Sequence, residues 1–139
     1  DGSPHAVGGT PACDPYSLPT AMIELVLRKQ GWKATSLGAR LPFETLVSAI
    51  NDLKPSLFWL SVSHIDDESQ FANEYASFYA AVQDKCPVVV GGRALTEPLR
   101  RQMQYAAFCD NLQHLEAFSK SILPATKKRG GNRKPSQRK

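Results

Sequence analysis

A chain of 139 residues, 42% of them hydrophobic, has the size and composition of one domain around one core. No apolar run approaches the roughly 20 residues of a spanning helix, and Asp1-Gly2-Ser3-Pro4 has neither the basic start nor the apolar stretch of a signal peptide. The formal charge of +4 is set by the C-terminus: seven of the 17 basic residues fall in 124–139 and all 13 acidic residues precede it, so residues 1–123 carry −3.

The first predicted strand is 5–10, HAVGGT, followed by a loop holding Pro11, Pro15 and Pro19. Residues 20–30 carry Met22, Ile23, Leu25, Val26 and Leu27 as a wide apolar stripe, with Glu24, Arg28 and Lys29 outside it. That pattern predicts an amphipathic helix with Pro19 in its first turn and Gly31 as its C-cap. A modest strand at 32–38 follows, then a helix at 43–53 with Leu46, Val47, Ile50 and Leu53 at helical spacing, ended by Lys54-Pro55. The run 57–62, LFWLSV, is nearly all apolar, as expected of a strand covered on both faces. A helix at 68–84 places Phe71, Tyr75, Phe78, Tyr79 and Val82 on one side, as core or a subunit contact. Pro87-Val88-Val89-Val90 is a fourth strand, broken by Gly91-Gly92. Thr96 caps a short helix with Glu97 and Pro98 in its first turn. A fifth strand at 105–109 and a helix at 111–122 complete the body.

Strands alternating with helices specify a parallel sheet with helices on both faces. Right-handed crossovers and the commonest five-strand arrangement give the order 2-1-3-4-5, a flavodoxin-like α/β fold. The domain is expected to span 1–123. Residues 124–139 have no large apolar side chain and seven cations, so they read as a basic disordered tail able to touch nucleic acid non-specifically. Three widely spaced cysteines, Cys13, Cys86 and Cys109, suit a reducing, cytoplasmic compartment.

In such a sheet the ligand crevice lies outside the carboxyl ends of the first and third strands. It would gather residues 10–19, 61–67 and 91–95, with 110–114 as a far wall. Receiver chemistry is disfavoured because Ser61 and Ser63 stand where the acceptor Asp would be and Cys109-Asp110 where the Lys would be. A dinucleotide fingerprint would need a glycine motif running directly into a helix, and prolines interrupt Gly8-Gly9 here. The loop is proline-rich where flavodoxin phosphate loops are rich in Ser, Thr and Gly. No Ser-His-Asp set or close acidic pair compels a hydrolase reading, so no catalytic residue is assigned.

The order of Asp14-Pro15-Tyr16-Ser17-Leu18-Pro19, Leu37-Gly38 with Pro42, Leu60-Ser61 and Val90-Gly91-Gly92 resembles the cobalamin-binding domain over residues 5–122. The stretches FWLSVSH at 58–64, VVVGGRAL at 88–95 and FCDN at 108–111 are most similar to the subset at the C-terminus of bacterial MerR-type transcription regulators. That resemblance implies a DNA-binding winged-helix segment ahead of Asp1, self-association, and a sensor or effector role without catalysis. In the family's Asp-x-His-x-x-Gly loop, the His supplies a nitrogen to cobalt, the Asp holds that His, and the Gly leaves room for the cofactor's nucleotide tail. Here Asp14 matches, Tyr16 replaces the His and Pro19 replaces the Gly, which implies altered or lost cobalamin binding.

The candidate cofactor-binding residues are Asp14, Tyr16, Ser17, Ser61, Ser63, His64, Gly91, Gly92 and Arg93. No metal set is expected; His64 is the best nitrogen donor, and a hydrogen bond to Asp66 or Asp67 is its plainer role. For Asp14 the plainer role is a cap, for Gly91-Gly92 turn chemistry, for Tyr16 packing with a satisfied hydroxyl, and for Cys13 and Cys109 buried thiols at the rim. Two alternatives stand beside the sensor: a cobalamin carrier domain of a mutase or methyltransferase, and a ligand-free dimerisation module.

Overall fold

The computed structural model describes residues 3–131, with side chains through residue 122. Its elements are β1 (His5–Gly9), α1 (Leu18–Lys29), β2 (Lys33–Ser36), α2 (Phe43–Leu53), β3 (Leu57–Ser61), α3 (Glu68–Val82), β4 (Val88–Gly91), α4 (Glu97–Arg100), β5 (Ala107–Cys109) and α5 (Leu112–Gly131). The five strands pair in parallel in the order β2-β1-β3-β4-β5, as the sequence led us to expect.

Side chains of one strand point alternately to the two faces, and β3 divides its residues accordingly. Leu57 and Trp59 join Ala6, Leu27, Trp32 and Leu115 under α1 and α5. Phe58, Leu60 and Val62 join Leu46, Phe71, Tyr75 and Phe78 under α2 and α3. All five β3 residues are buried, which explains why this strand has no polar alternation to read. The aromatic run of α3 belongs to the core: Phe71, Tyr75 and Phe78 pack around Phe43, and the Tyr75 hydroxyl donates to the Gln104 carbonyl at 2.6 Å. Among the described residues, no helix is long and apolar enough to cross a membrane.

The element ends have local causes. Helix α1 starts before Pro19 because the missing N–H costs nothing in a first turn. Helix α2 ends at Lys54 in the left-handed region (φ 47°), just before Pro55. Asp67 caps α3 by accepting the Gln70 N–H at 3.0 Å. Thr96 occupies the N-cap of α4 but its hydroxyl makes no capping bond, contrary to expectation. The outer strands β2 and β5 are shorter than predicted, because each has a partner on one side only. Asn111 caps α5 through the His114 N–H at 2.9 Å. That helix continues to Gly131, past the end expected at residue 122. The basic tail was expected to be disordered over 124–139; α5 takes in 124–131, and 132–139 lie outside the described residues.

Candidate functional site

Three loops meet above the carboxyl ends of β1, β3 and β4, and Asp14 ties the first two together. Its carboxylate is fully buried; Oδ1 accepts the Tyr16 N–H at 3.0 Å and Oδ2 accepts the Ser63 N–H at 2.6 Å. The loop after β2 joins the same knot. The Thr10 hydroxyl donates to the Asp14 carbonyl at 2.8 Å and accepts the Arg40 N–H at 2.9 Å, with Arg40 in the left-handed region (φ 60°). Sequence reasoning missed Thr10 and Arg40; a threonine at a strand end and an arginine in a loop carry no motif.

Gly91 and Gly92 serve backbone packing. A Cβ on Gly92 would fall 2.1 Å from the Val62 carbonyl oxygen, and its φ of 122° excludes other residues. A Cβ on Gly91 would fall 2.9 Å from the Cys109 carbonyl oxygen. The third loop closes on the second through Ala94 N–H to the Val62 carbonyl at 3.1 Å and Arg93 Nε to the Ser63 carbonyl at 3.5 Å.

Beneath the rim, between α1 and α5, lies a cavity of about 240 Å³. Its walls are mostly apolar, from Leu18, Pro19, Met22, Leu60, Gly91 and Leu112, and Ser61 contributes a hydroxyl. Pro19 therefore borders the space without sealing it. The floor is Trp59, whose indole lies across β1: a Cβ on Gly8 would sit 2.0 Å from its ring. The indole N–H donates to Thr20 Oγ1 at 2.8 Å, and that hydroxyl meets Ser36 Oγ at 3.3 Å. Trp59 was absent from the predicted site, because an apolar run read as a strand does not reveal which residue floors a cavity.

The other predicted residues are scattered around this rim. Tyr16 is 48% exposed, and Ser17 is an exposed N-cap residue whose hydroxyl makes no capping bond. Ser61 is buried at the end of β3, while Ser63 is half-buried. His64 is exposed; its Nε2 lies 2.7 Å from Asp66 Oδ1, and its carbonyl accepts the Cys13 thiol at 3.4 Å. It does not line the α1–α5 cavity. Cys109 does, and burial pushes its thiol up to about 11. Burial likewise raises Cys13, against weaker opposing backbone hydrogen bonds, and Cys13 borders a different groove, between α2 and α3. Of the other histidines, His5 stands at the start of β1, at the opposite end of the sheet, and His114 Nδ1 accepts the Asp110 N–H at 3.2 Å. Among the described residues, no three His, Cys, Asp or Glu side chains form a group that could hold a metal ion.

No known family model matches the sequence, and no curated protein does. Solved structures do match. A cobalamin-binding protein from Desulfitobacterium hafniense superposes with a TM-score of 0.69 at 15% identity, over 89% of this chain and 59% of that one. The monomethylamine corrinoid protein of Methanosarcina barkeri gives 0.73 at 13% identity, over 88% of this chain and 58% of that one. The methanol:cobalamin methyltransferase complex of the same organism gives 0.73 at 15% identity, over 87% and 46%. The receiver domain of the response regulator NarL from Mycobacterium tuberculosis gives 0.55 at 16% identity, over 90% and 97%. The chain thus spans 46–59% of the length of the three corrinoid-related structures. This likeness establishes the fold: a flavodoxin-like α/β domain of the kind that cobalamin-binding domains use.

Tested against these residues, a cobalamin fits in one respect and fails in another. The α1–α5 cavity has the apolar walls and flat indole floor that suit one planar aromatic group. The donor set does not fit. Each Asp14 oxygen already accepts a backbone N–H, and Tyr16, two residues on, is a half-exposed phenol. A neutral phenol is a poor partner for cobalt beside an imidazole.

Proposed function

We propose that this chain is a non-catalytic sensor or effector domain, descended in architecture from cobalamin-binding domains, whose crevice takes a planar aromatic or tetrapyrrole group without supplying nitrogen to a metal. One observation carries the reading: an apolar cavity kept open between α1 and α5, beneath a rim whose Asp14 locks two loops instead of orienting a ligand. A bound molecule there touches α1, α5 and the ends of β3 and β4, so it acts by favouring one arrangement of those helices over another.

The resemblance in 58–64, 88–95 and 108–111 supports a place in a MerR-type transcription regulator of the cytoplasm, with DNA contacted by a separate domain. On this reading the regulator works as a self-associated pair on a two-fold site. A carrier role, in a corrinoid-dependent methyl transfer or mutase system, has the same fold in its favour and the donor set against it.

Equilibrium dialysis against adenosylcobalamin, methylcobalamin and a base-free corrinoid, followed by visible spectra, tests the reading. The expected result is the absence of a nitrogen-ligated protein complex, with any retained corrinoid displaced by Leu112→Trp, which fills the cavity. Tight binding with a nitrogen-ligated spectrum overturns it in favour of the carrier role.

A further inference from the structure

A second cavity opens on the other side of the same loops. It is a groove of about 670 Å³ between α2 and α3, on the sheet face turned away from α1 and α5. Phe43 and Phe71 supply apolar floor, and Glu44, Asp66, Asp67 and Glu74 supply carboxylates around it. Among the described residues, no Lys or Arg lines it. Among the described residues, Glu44, Asp67 and Glu74 have no cation within ion-pair distance, and Asp66 meets only His64. An aromatic floor within a ring of carboxylates focuses negative potential and takes cationic side chains, whose aliphatic stems lie on the rings.

The sequence holds the complement. Residues 124–139 carry seven cations and no acid, against a body of −3. We propose that the basic segment 127–139 of one copy of the chain docks in the acidic α2–α3 groove of another copy.

The topology argues for a second copy as the source. Helix α5 packs with α1 on the opposite sheet face and starts at the rim. Its 20 residues carry the chain about 30 Å away from that rim. The eight residues that follow reach at most about 28 Å when fully extended. Returning to the rim would consume that length without crossing to the other face. Donor and acceptor are different surfaces, so the exchange closes as a reciprocal pair or, where it does not close, continues to further copies. Exposed ion pairs are individually weak and screened, so association depends on several pairs forming together and on low salt.

Sedimentation velocity of the full 139-residue chain over a hundredfold concentration range tests this, at about 20 mM and about 500 mM NaCl. Mass-average size is expected to rise with concentration at low salt and to return to the monomer at high salt. Reversing the groove (Glu44→Lys with Glu74→Lys) and reversing the segment (Lys127→Glu, Lys128→Glu, Arg133→Glu, Lys134→Glu) should each abolish association; combining them should restore it. These positions avoid the α3 cap, and circular dichroism checks the fold of each variant. A labelled synthetic peptide of residues 124–139 should bind the wild-type chain and not the groove-reversed one. The proposal is overturned by a monomer at every concentration, by association that survives either reversal, or by a combined variant that stays monomeric. It is also overturned if segment reversal removes duplex DNA binding while leaving sedimentation unchanged, which would assign the segment to nucleic acid.

Discussion

Replacing Asp14 with Ala removes the acceptor of two rim hydrogen bonds at once. Both donors are backbone N–H groups, of Tyr16 and Ser63, held at 3.0 and 2.6 Å by a carboxylate with no exposed surface. A buried donor left unpaired costs about 1–3 kcal/mol, so the pair amounts to about 2–6 kcal/mol, less where water enters the gap. Domains of this size are stable by about 5–15 kcal/mol, and each kcal/mol moves the midpoint by roughly 3–5 °C. Asp14→Ala is therefore expected to lower Tm by about 6–30 °C. Asp14→Asn keeps one acceptor and turns an NH₂ toward the other donor, so its loss should fall between. Thermal and urea unfolding give the magnitude, and amide exchange gives the place: protection at Tyr16 and Ser63 should fall before that of β3. A Tm within about 2 °C of wild type for Asp14→Ala would refute the idea that this carboxylate joins the loops.

Other outcomes follow from the same geometry. Gly92→Ala puts a Cβ 2.1 Å from the Val62 oxygen at a φ of 122°, and should cost at least about 3 kcal/mol in urea unfolding, whereas Gly38→Ala, in open space at φ 104°, should cost about 1–2 kcal/mol. Gly8→Ala forces Trp59 to move, so it should both destabilise the fold and shift tryptophan emission; paired with Trp59→Phe, part of that loss should return. Burial, and then Lys33, lower the affinity of His5 for a proton, so folding favours its neutral form. That contribution is complete above the ordinary value of 6.5 and is lost as pH falls through it toward the lowered folded value; His5→Gln should flatten the urea midpoint over that window. Burial holds Cys109 near 11 from an ordinary 9.0, so its thiolate fraction at neutral pH falls about 100-fold, and iodoacetamide should label it far more slowly than a free thiol.

The fold was legible because its signals are local. The stripe of α1, the helical spacing of α2, and the unbroken apolar run of β3 each fix an element type, and parallel alternation limits the order. The ends were less legible. The last helix reads as ending at 122, yet α5 runs on to Gly131, and Thr96 reads as a cap that its hydroxyl does not perform. At the site, the sequence brought the right loops together, because strand ends converge in this topology. It could not reveal that Asp14 accepts the Tyr16 and Ser63 backbone N–H groups, since that depends on a contact 49 residues away. Nor could it find Trp59, whose role comes from its register opposite Gly8.

That register has a consequence for how the cavity is tuned. Depth is decided by one indole reaching across a strand that has no side chain there, while the entrance is decided by loops bonded to one another through Asp14 and Thr10. The two share few atoms, so the size of guest that fits and the conditions under which the mouth holds its shape are separate properties. A smaller residue at 59 deepens the chamber and leaves the doorway as it was.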